Sequence, residues 1–317
     1  MRRAVVAIGL IGLIGLVVAS LSIGAADLSS DQGSAFLLTV SRVPRTTAAL
    51  LAGAGLALAG AVVQLAVQNR LVEPGLTGTP EAAMAGLLAI TLIAPGAPLM
   101  VKMVAASTTA LAGTAGFLLL ARHVPRQDPM LLPLVGLIYA GILGAGVTGV
   151  AWSVDLMQYL GTWQAGEFSG VLRGRYELLW IIAIAGGLLY LAADRITLLG
   201  LGEDRARSLG LNARQTLLAG LVIVAVMVTA TVVTVGVLPF VGLIIPNLVS
   251  RWRGDNLRAN LPLIALAGGT AVLASDLIGR LIRWPYELPA GTIFAVAGAA
   301  IFLWLLYAVP PQRDARG

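Results

Sequence analysis

Cysteine is missing from this chain of 317 residues, and lysine and histidine occur once each, at Lys102 and His123. Without cysteine there are no disulfides and no thiolate metal sites. With one histidine besides, no transition-metal cage can be assembled from the usual soft ligands. A phosphate-binding P-loop needs a lysine in the pattern GxxxxGK[ST], and no Gly-Lys pair occurs. Any uphill work this protein does must therefore draw on another chain or on an ion gradient. Charge is also scarce: 11% of residues are Asp, Glu, Lys or Arg, against about 25% in an ordinary soluble domain. That deficit excludes a water-soluble globule of this size.

What fills the space is apolar. Hydrophobic residues make up 58% of the chain and the mean hydropathy is +0.91. A membrane helix needs about 20 predominantly apolar residues. The runs predict spans at 4–26, 46–68, 76–95, 99–121, 130–152, 177–197, 216–236, 261–280 and 288–309, with a short element at 240–251. The short one follows Gly236 and Pro239 and contains Pro246, which suits a broken helix buried in protein. The expected class is an all-α polytopic membrane protein, a single domain over 1–317 with about ten transmembrane helices, one of them short or broken. Arg2 and Arg3 before an apolar run resemble a signal peptide, but the run is long and many spans follow, so a retained first helix is expected. Most of the 38 glycines are expected to serve close helix packing, because helices in lipid associate through small residues.

The isoelectric point near 10.3 does not imply nucleic acid, since the arginines sit singly or in pairs between apolar runs with no basic face. Topology accounts for them. With both termini cytoplasmic, the 21 basic residues divide 14 inside against 7 outside, in the sense of the positive-inside rule. Two connections then exceed simple turns. The outside one, about 152–176, carries Trp163, Gly166 and Phe168, consistent with an interfacial surface where aromatic rings sit at headgroup level. The inside one, about 194–215, is polar, with Glu203 and Arg207 at i,i+4 spacing.

Four motifs recur in order. Ser41-Arg42-Val43-Pro44-Arg45-Thr46 is followed by a small-residue helix to Gln64 and by Asn69 to Gly78. Leu201 to Gly210, Gly236 to Asn247, and Asp276 to Arg280 with Glu287 to Gly291 complete the series. Together they resemble the FecCD/BtuC-like permeases of ABC importers for iron–siderophore complexes, cobalamin and haem, across residues 40 to 305. Arg70 stands where that family usually has proline, Asn247 where it often has histidine, and Glu81 in a segment normally small and neutral.

The resemblance implies a type II ABC importer permease fold in a bacterial plasma (inner) membrane. It also implies a second permease subunit, a cytoplasmic ABC ATPase dimer that consumes the ATP, and an external substrate-binding protein, with no cofactor bound by this chain. It assigns ATPase coupling to Gly202, Glu203, Ala206, Leu209 and Gly210, on two short helices seated in a groove of the ATPase, with Ala206 and Leu209 inserting. It assigns docking of the binding protein to Arg42, Arg45 and Arg280, whose planar guanidinium groups suit carboxylates. The residues alone leave other readings open: a solvated loop at 194–215, lipid-headgroup anchoring for the arginines, and an i,i+4 pair between Asp276 and Arg280. Gln64, Gln68 and Asn69 read as caps or interhelical hydrogen-bonding groups, and His123 as a solvated loop residue. The competing function is an ion-coupled secondary transporter, for which Glu81 is the only carboxylate suitably placed. An intramembrane enzyme finds no support in the cysteine or histidine content.

Overall fold

The computed structural model describes residues 2–24, 34–67, 69–121, 123–124, 131–200, 203–254 and 256–307. The helices are α1 Arg2–Ser22, α2 Ser34–Leu37, α3 Val43–Val67, α4 Thr79–Ile93, α5 Leu99–Ala121, α6 Leu131–Ser153 and α7 Met157–Gln164. They continue as α8 Trp180–Leu199, α9 Glu203–Ser208, α10 Ala213–Val235, α11 Val241–Arg253, α12 Leu257–Ile282 and α13 Ala290–Tyr307. Among the described residues there is no β-strand. Six helical stretches among the described residues are long and apolar enough to cross a membrane, the longest being Ala35–Val67, which runs through the π turn Leu38–Arg42 into α3.

Helix α3 is the axis of the bundle. Alanine and glycine dominate it, and α8, α10, α11 and α12 all pack on it. At Gly53 a Cβ would lie 2.3 Å from the Gly268 carbonyl oxygen of α12, and at Gly60 one would lie 1.8 Å from the Gly242 carbonyl oxygen of α11. Backbones that approach this closely leave no room for any side chain, which is how helices gain contact in lipid. Asparagines cap two of the long helices: Asn212 accepts from the Gln215 N–H at the head of α10, and Asn256 from the Ala259 N–H at the head of α12.

Helices α11 and α4, though packed within the bundle, are too short to span. Helix α11 has 13 residues and α4 has 15, about 20 Å and 22 Å at 1.5 Å per residue, against a hydrocarbon core of about 30 Å. Both begin at depth. The head of α11 meets α3 at Gly60 and touches Pro74, while the first turn of α4 lies level with Gly113 of α5 and Gly144 of α6. The run expected as a span at 76–95 is helix α4, preceded by an irregular stretch, 69–78, that contains a single 3-10 turn at Pro74–Thr77. Non-helical backbone is tolerated at this depth where protein covers it, and Asn69, Val72, Pro74 and Thr77 of the stretch are buried. The Thr77 hydroxyl donates to the Pro74 carbonyl at 2.6 Å and shares a bond with Thr79, which in turn meets Thr114.

The break at α11 is equally well served. Phe240 takes a left-handed conformation ahead of the helix (φ 66°), and Glu73 accepts its backbone N–H. Pro246 has no N–H, so the Gly242 carbonyl loses its helical partner. Gln64 Nε2 donates to that oxygen and to the Leu243 carbonyl, each at 3.2 Å. Gln64 is therefore an interhelical hydrogen-bonding group, one of the two readings its sequence position allows. Asn247 Nδ2 donates to the Leu243 and Arg70 carbonyls, tying α11 to the irregular stretch. Gln68 lies outside the described residues.

Candidate functional site

The three arginines assigned to docking lie together at one end of the bundle, and each is turned inward. Arg42 closes the π turn and donates to the Leu21 and Ser22 carbonyls at 2.7 and 2.8 Å. Arg280 donates to the Ser20 and Ile23 carbonyls at 3.0 and 3.2 Å. Both thus satisfy carbonyls at the C-terminal end of α1, where helix oxygens lack partners and a cation is favoured. Arg45, one turn into α3, reaches Asp276 at 2.7 Å and Glu287 at 2.7 Å. Asp276 also pairs with Arg280, and the Ser20 and Thr46 hydroxyls share a bond beneath. Asp276 and Arg280 are 2% and 3% exposed and Arg45 12%. The carboxylates these arginines meet are thus the chain's own, and the i,i+4 pair of Asp276 with Arg280 is present. Arg283, by contrast, is exposed and lies over the Tyr286 ring.

The polar connection lies at the opposite end of α3, where Leu65 approaches Gly200. Helix α8 continues to Leu199, so this connection starts later than residue 194. It holds one short helix, α9, where two were expected. Glu203 heads that helix, and Gly202 lies outside the described residues. Ala206 is fully buried against the chain itself, so it anchors α9 and is unavailable to insert elsewhere. Leu209 is the residue left projecting, 63% exposed. Gly210 follows with φ 79°, a conformation that favours glycine, and lets the chain turn back so that the Leu211 N–H bonds the Ala206 carbonyl. The knob is thus Leu209 on an Ala206 footing.

The long connection at the other end, predicted as an aromatic surface, contains a helix that sequence reading missed, α7. Its Tyr159 and Trp163 rings pack at 5.4 Å, and Phe168 behind them is buried. Gly166 and Gly291 link this segment to the head of α13 through a backbone hydrogen bond of 2.9 Å. Among the described residues, no group of three or more His, Asp or Glu side chains could hold a metal ion, and exposed His123 meets only the Leu119 carbonyl.

Comparison with known proteins matches this frame. The FecCD transport family matches residues 7–308. The chain is 39% identical to the petrobactin import system permease protein FatD of Bacillus anthracis, over 95% of this chain and 90% of that protein. It is 37% identical to the ferric-anguibactin transport system permease protein FatD of Vibrio anguillarum, over 85% and 86%. It is 36% identical to the vitamin B12 import system permease protein BtuC of Escherichia coli O157:H7, over 88% and 86%. The solved structure of a metal-chelate type ABC transporter in an inward-facing conformation superimposes with a TM-score of 0.84 at 26% identity, covering 98% of this chain and 100% of that one. The chain belongs to the FecCD transport family and is a permease subunit of an ABC importer.

Proposed function

We propose that this permease carries a ferric siderophore or a similar metal chelate inward, paired with a second permease subunit and driven by ATP hydrolysis in a cytoplasmic ATPase dimer. The observation that carries the reading is coverage: a siderophore permease 39% identical matches 95% of the chain, and a second siderophore permease is nearer in identity than the B12 permease. The chain supplies a conduit. It has no P-loop lysine, and its core is apolar and small-residued. A bulky chelate whose own ligands satisfy its metal needs a path that holds it weakly, because tight binding would slow release.

The roles follow from position. Leu209, presented by α9, enters a groove of the ATPase, with Glu203 and Gly210 framing the knob and Gly202 at its entry. That end is cytoplasmic, as are both termini. The arginine cluster marks the external end. Arg42 and Arg280 hold α1 in place there, and Arg45 with Glu287 is the part of the cluster nearest solvent, where the substrate-binding protein docks. The second permease subunit covers α6, of whose apolar span only 17% is buried within this chain.

The test is uptake of iron-55 chelate into proteoliposomes holding the permease, its ATPase and its binding protein. Accumulation is expected with ATP inside and none with a pH gradient alone. Concentrative uptake by this chain without the ATPase, driven by the gradient, would establish the secondary transporter instead.

A further inference from the structure

Glu81 has no place in the frame described so far. It sits in the first turn of α4, and its Oε2 is buried without a hydrogen-bond partner. The site is at membrane depth. A Cβ on Gly144, near the middle of the 23-residue helix α6, would lie 3.5 Å from Glu81 Cγ, and neighbouring Ala82 packs on Gly113 of α5. Among the described residues that line the cavity beside it there is no arginine, lysine or histidine. Beside it is a cavity of about 300 Å³ between α4, α6 and α7, walled by Gly141, Gly144 and Val147, with Thr148 and Gln164 as its other polar groups. Leu137, Gly141 and Gln164 on its rim are exposed, so the cavity opens on the face of α6 that its own chain leaves bare.

An acceptor held unpaired at this depth is costly, and intramembrane carboxylates almost always face a bundle interior or a water-filled space. The cavity is also large enough for a ligand group. The α6 glycines keep it open: Gly141 has nothing within 4 Å of where a Cβ would stand.

We propose that Glu81, with Thr148 and Gln164, forms a subsite on the translocation path that takes a cationic, hydrogen-bond-donating group of the cargo, such as the alkylammonium arm of a chelate. The subsite deepens the permease reading and rests on it for its cargo. The carboxylate is its charge-selective element and the two neutral polar groups orient the ammonium. A single such contact in an otherwise apolar path discriminates among chelates without arresting them.

Two measurements separate this proposal from the reading beneath it. In membranes containing the full chain, dicyclohexylcarbodiimide labelling of Glu81 is followed by peptide mass spectrometry. n-Butylammonium is expected to slow that labelling several-fold more than n-butanol at equal concentration. Equal slowing by the two probes, or no labelling at Glu81, overturns the subsite, and neither result depends on transport. In the reconstituted importer, ferric desferrioxamine B, which carries a pendant ammonium, is compared with its neutral N-acetyl derivative. Glu81→Gln should lower uptake of the first by about tenfold relative to the second, the loss of one charge-assisted hydrogen bond. An equal effect on both overturns the assignment to cargo. Failure of the wild-type importer to move any chelate with ATP overturns the permease reading while leaving the labelling result to stand on its own.

Discussion

Asp276 balances two guanidinium groups with one carboxylate, and it does so almost out of solvent. Removing one partner of a buried ion pair costs about 3–5 kcal/mol, because the remaining charge is stranded. Asp276→Asn is therefore expected to lose stability of about that size, read as a lower unfolding temperature of the detergent-solubilised protein. Arg283→Ala, on the exposed side of the same end, should stay within about 0.5 kcal/mol of wild type. A small effect of Asp276→Asn would mean that Arg45 and Arg280 are held by Glu287 and the α1 carbonyls alone. The sequence carried part of this. The four-residue spacing of Asp276 and Arg280 suggested their pairing, whereas Arg45 meets Asp276 across 231 positions. No local pattern encodes that separation. Nor did any pattern say that Arg42 would spend its donors on the end of α1. An arginine motif at a membrane face looks the same whether its partners lie within the chain or beyond it.

Helical elements with a strong apolar run were legible almost to the residue, as α5 at 99–121 shows. Elements that depend on burial were less so. The stretch ahead of α4 falls almost wholly between the apolar runs at 46–68 and 76–95, but no run shows that it packs at membrane depth, with the Thr77 hydroxyl on the Pro74 carbonyl and Pro74 against Gly242 of α11. Helix α7 was hidden because eight residues with mixed polarity give little periodic signal. Where backbones touch, the prediction is steric. Gly60→Ala places a methyl against the Gly242 carbonyl and must push α11 away from α3, at about 1–3 kcal/mol for an overpacked core. Gly187→Ala on α8, with nothing within 4 Å, should be neutral or slightly stabilising in the same thermal assay. Helix α9 calls for the opposite kind of test, since its knob is exposed. Leu209→Asp should leave unfolding temperature unchanged and sharply reduce co-purification of the ATPase. Ala206→Asp should instead destabilise the protein, because that side chain is inside. Normal ATPase recovery with Leu209→Asp would remove the coupling role from this end of the molecule.

At the scale of the whole molecule, burial is lopsided. The span of α10 is 72% buried within the chain and that of α6 only 17%, although both are apolar helices of 23 residues. Lipid alone could cover α6, yet a lipid-facing helix has no need of small residues, and α6 exposes Gly141, Ala145 and Gly149 along one stripe with Leu134 and Ile138. Such a stripe allows a second helix to approach closely, and the Glu81 cavity opens beside it. Helix α8 offers the comparison: its outward positions Ile184, Leu188 and Leu191 are large side chains suited to lipid, with Ala183 and Gly187 the small ones among them. The absence of cysteine makes the question directly testable, because the wild-type chain is its own negative control. Ala145→Cys, oxidised in membranes, is expected to give a disulfide-linked dimer on a non-reducing gel, since a disulfide needs Cα atoms within about 7 Å. Ile184→Cys should remain monomeric under the same oxidant. If Ala145→Cys links only to a co-expressed paralogous permease bearing a cysteine in its matching helix, the importer is a heterodimer. If it links to neither while Ile184→Cys does, the path lies along α8, and the Glu81 cavity faces away from the cargo.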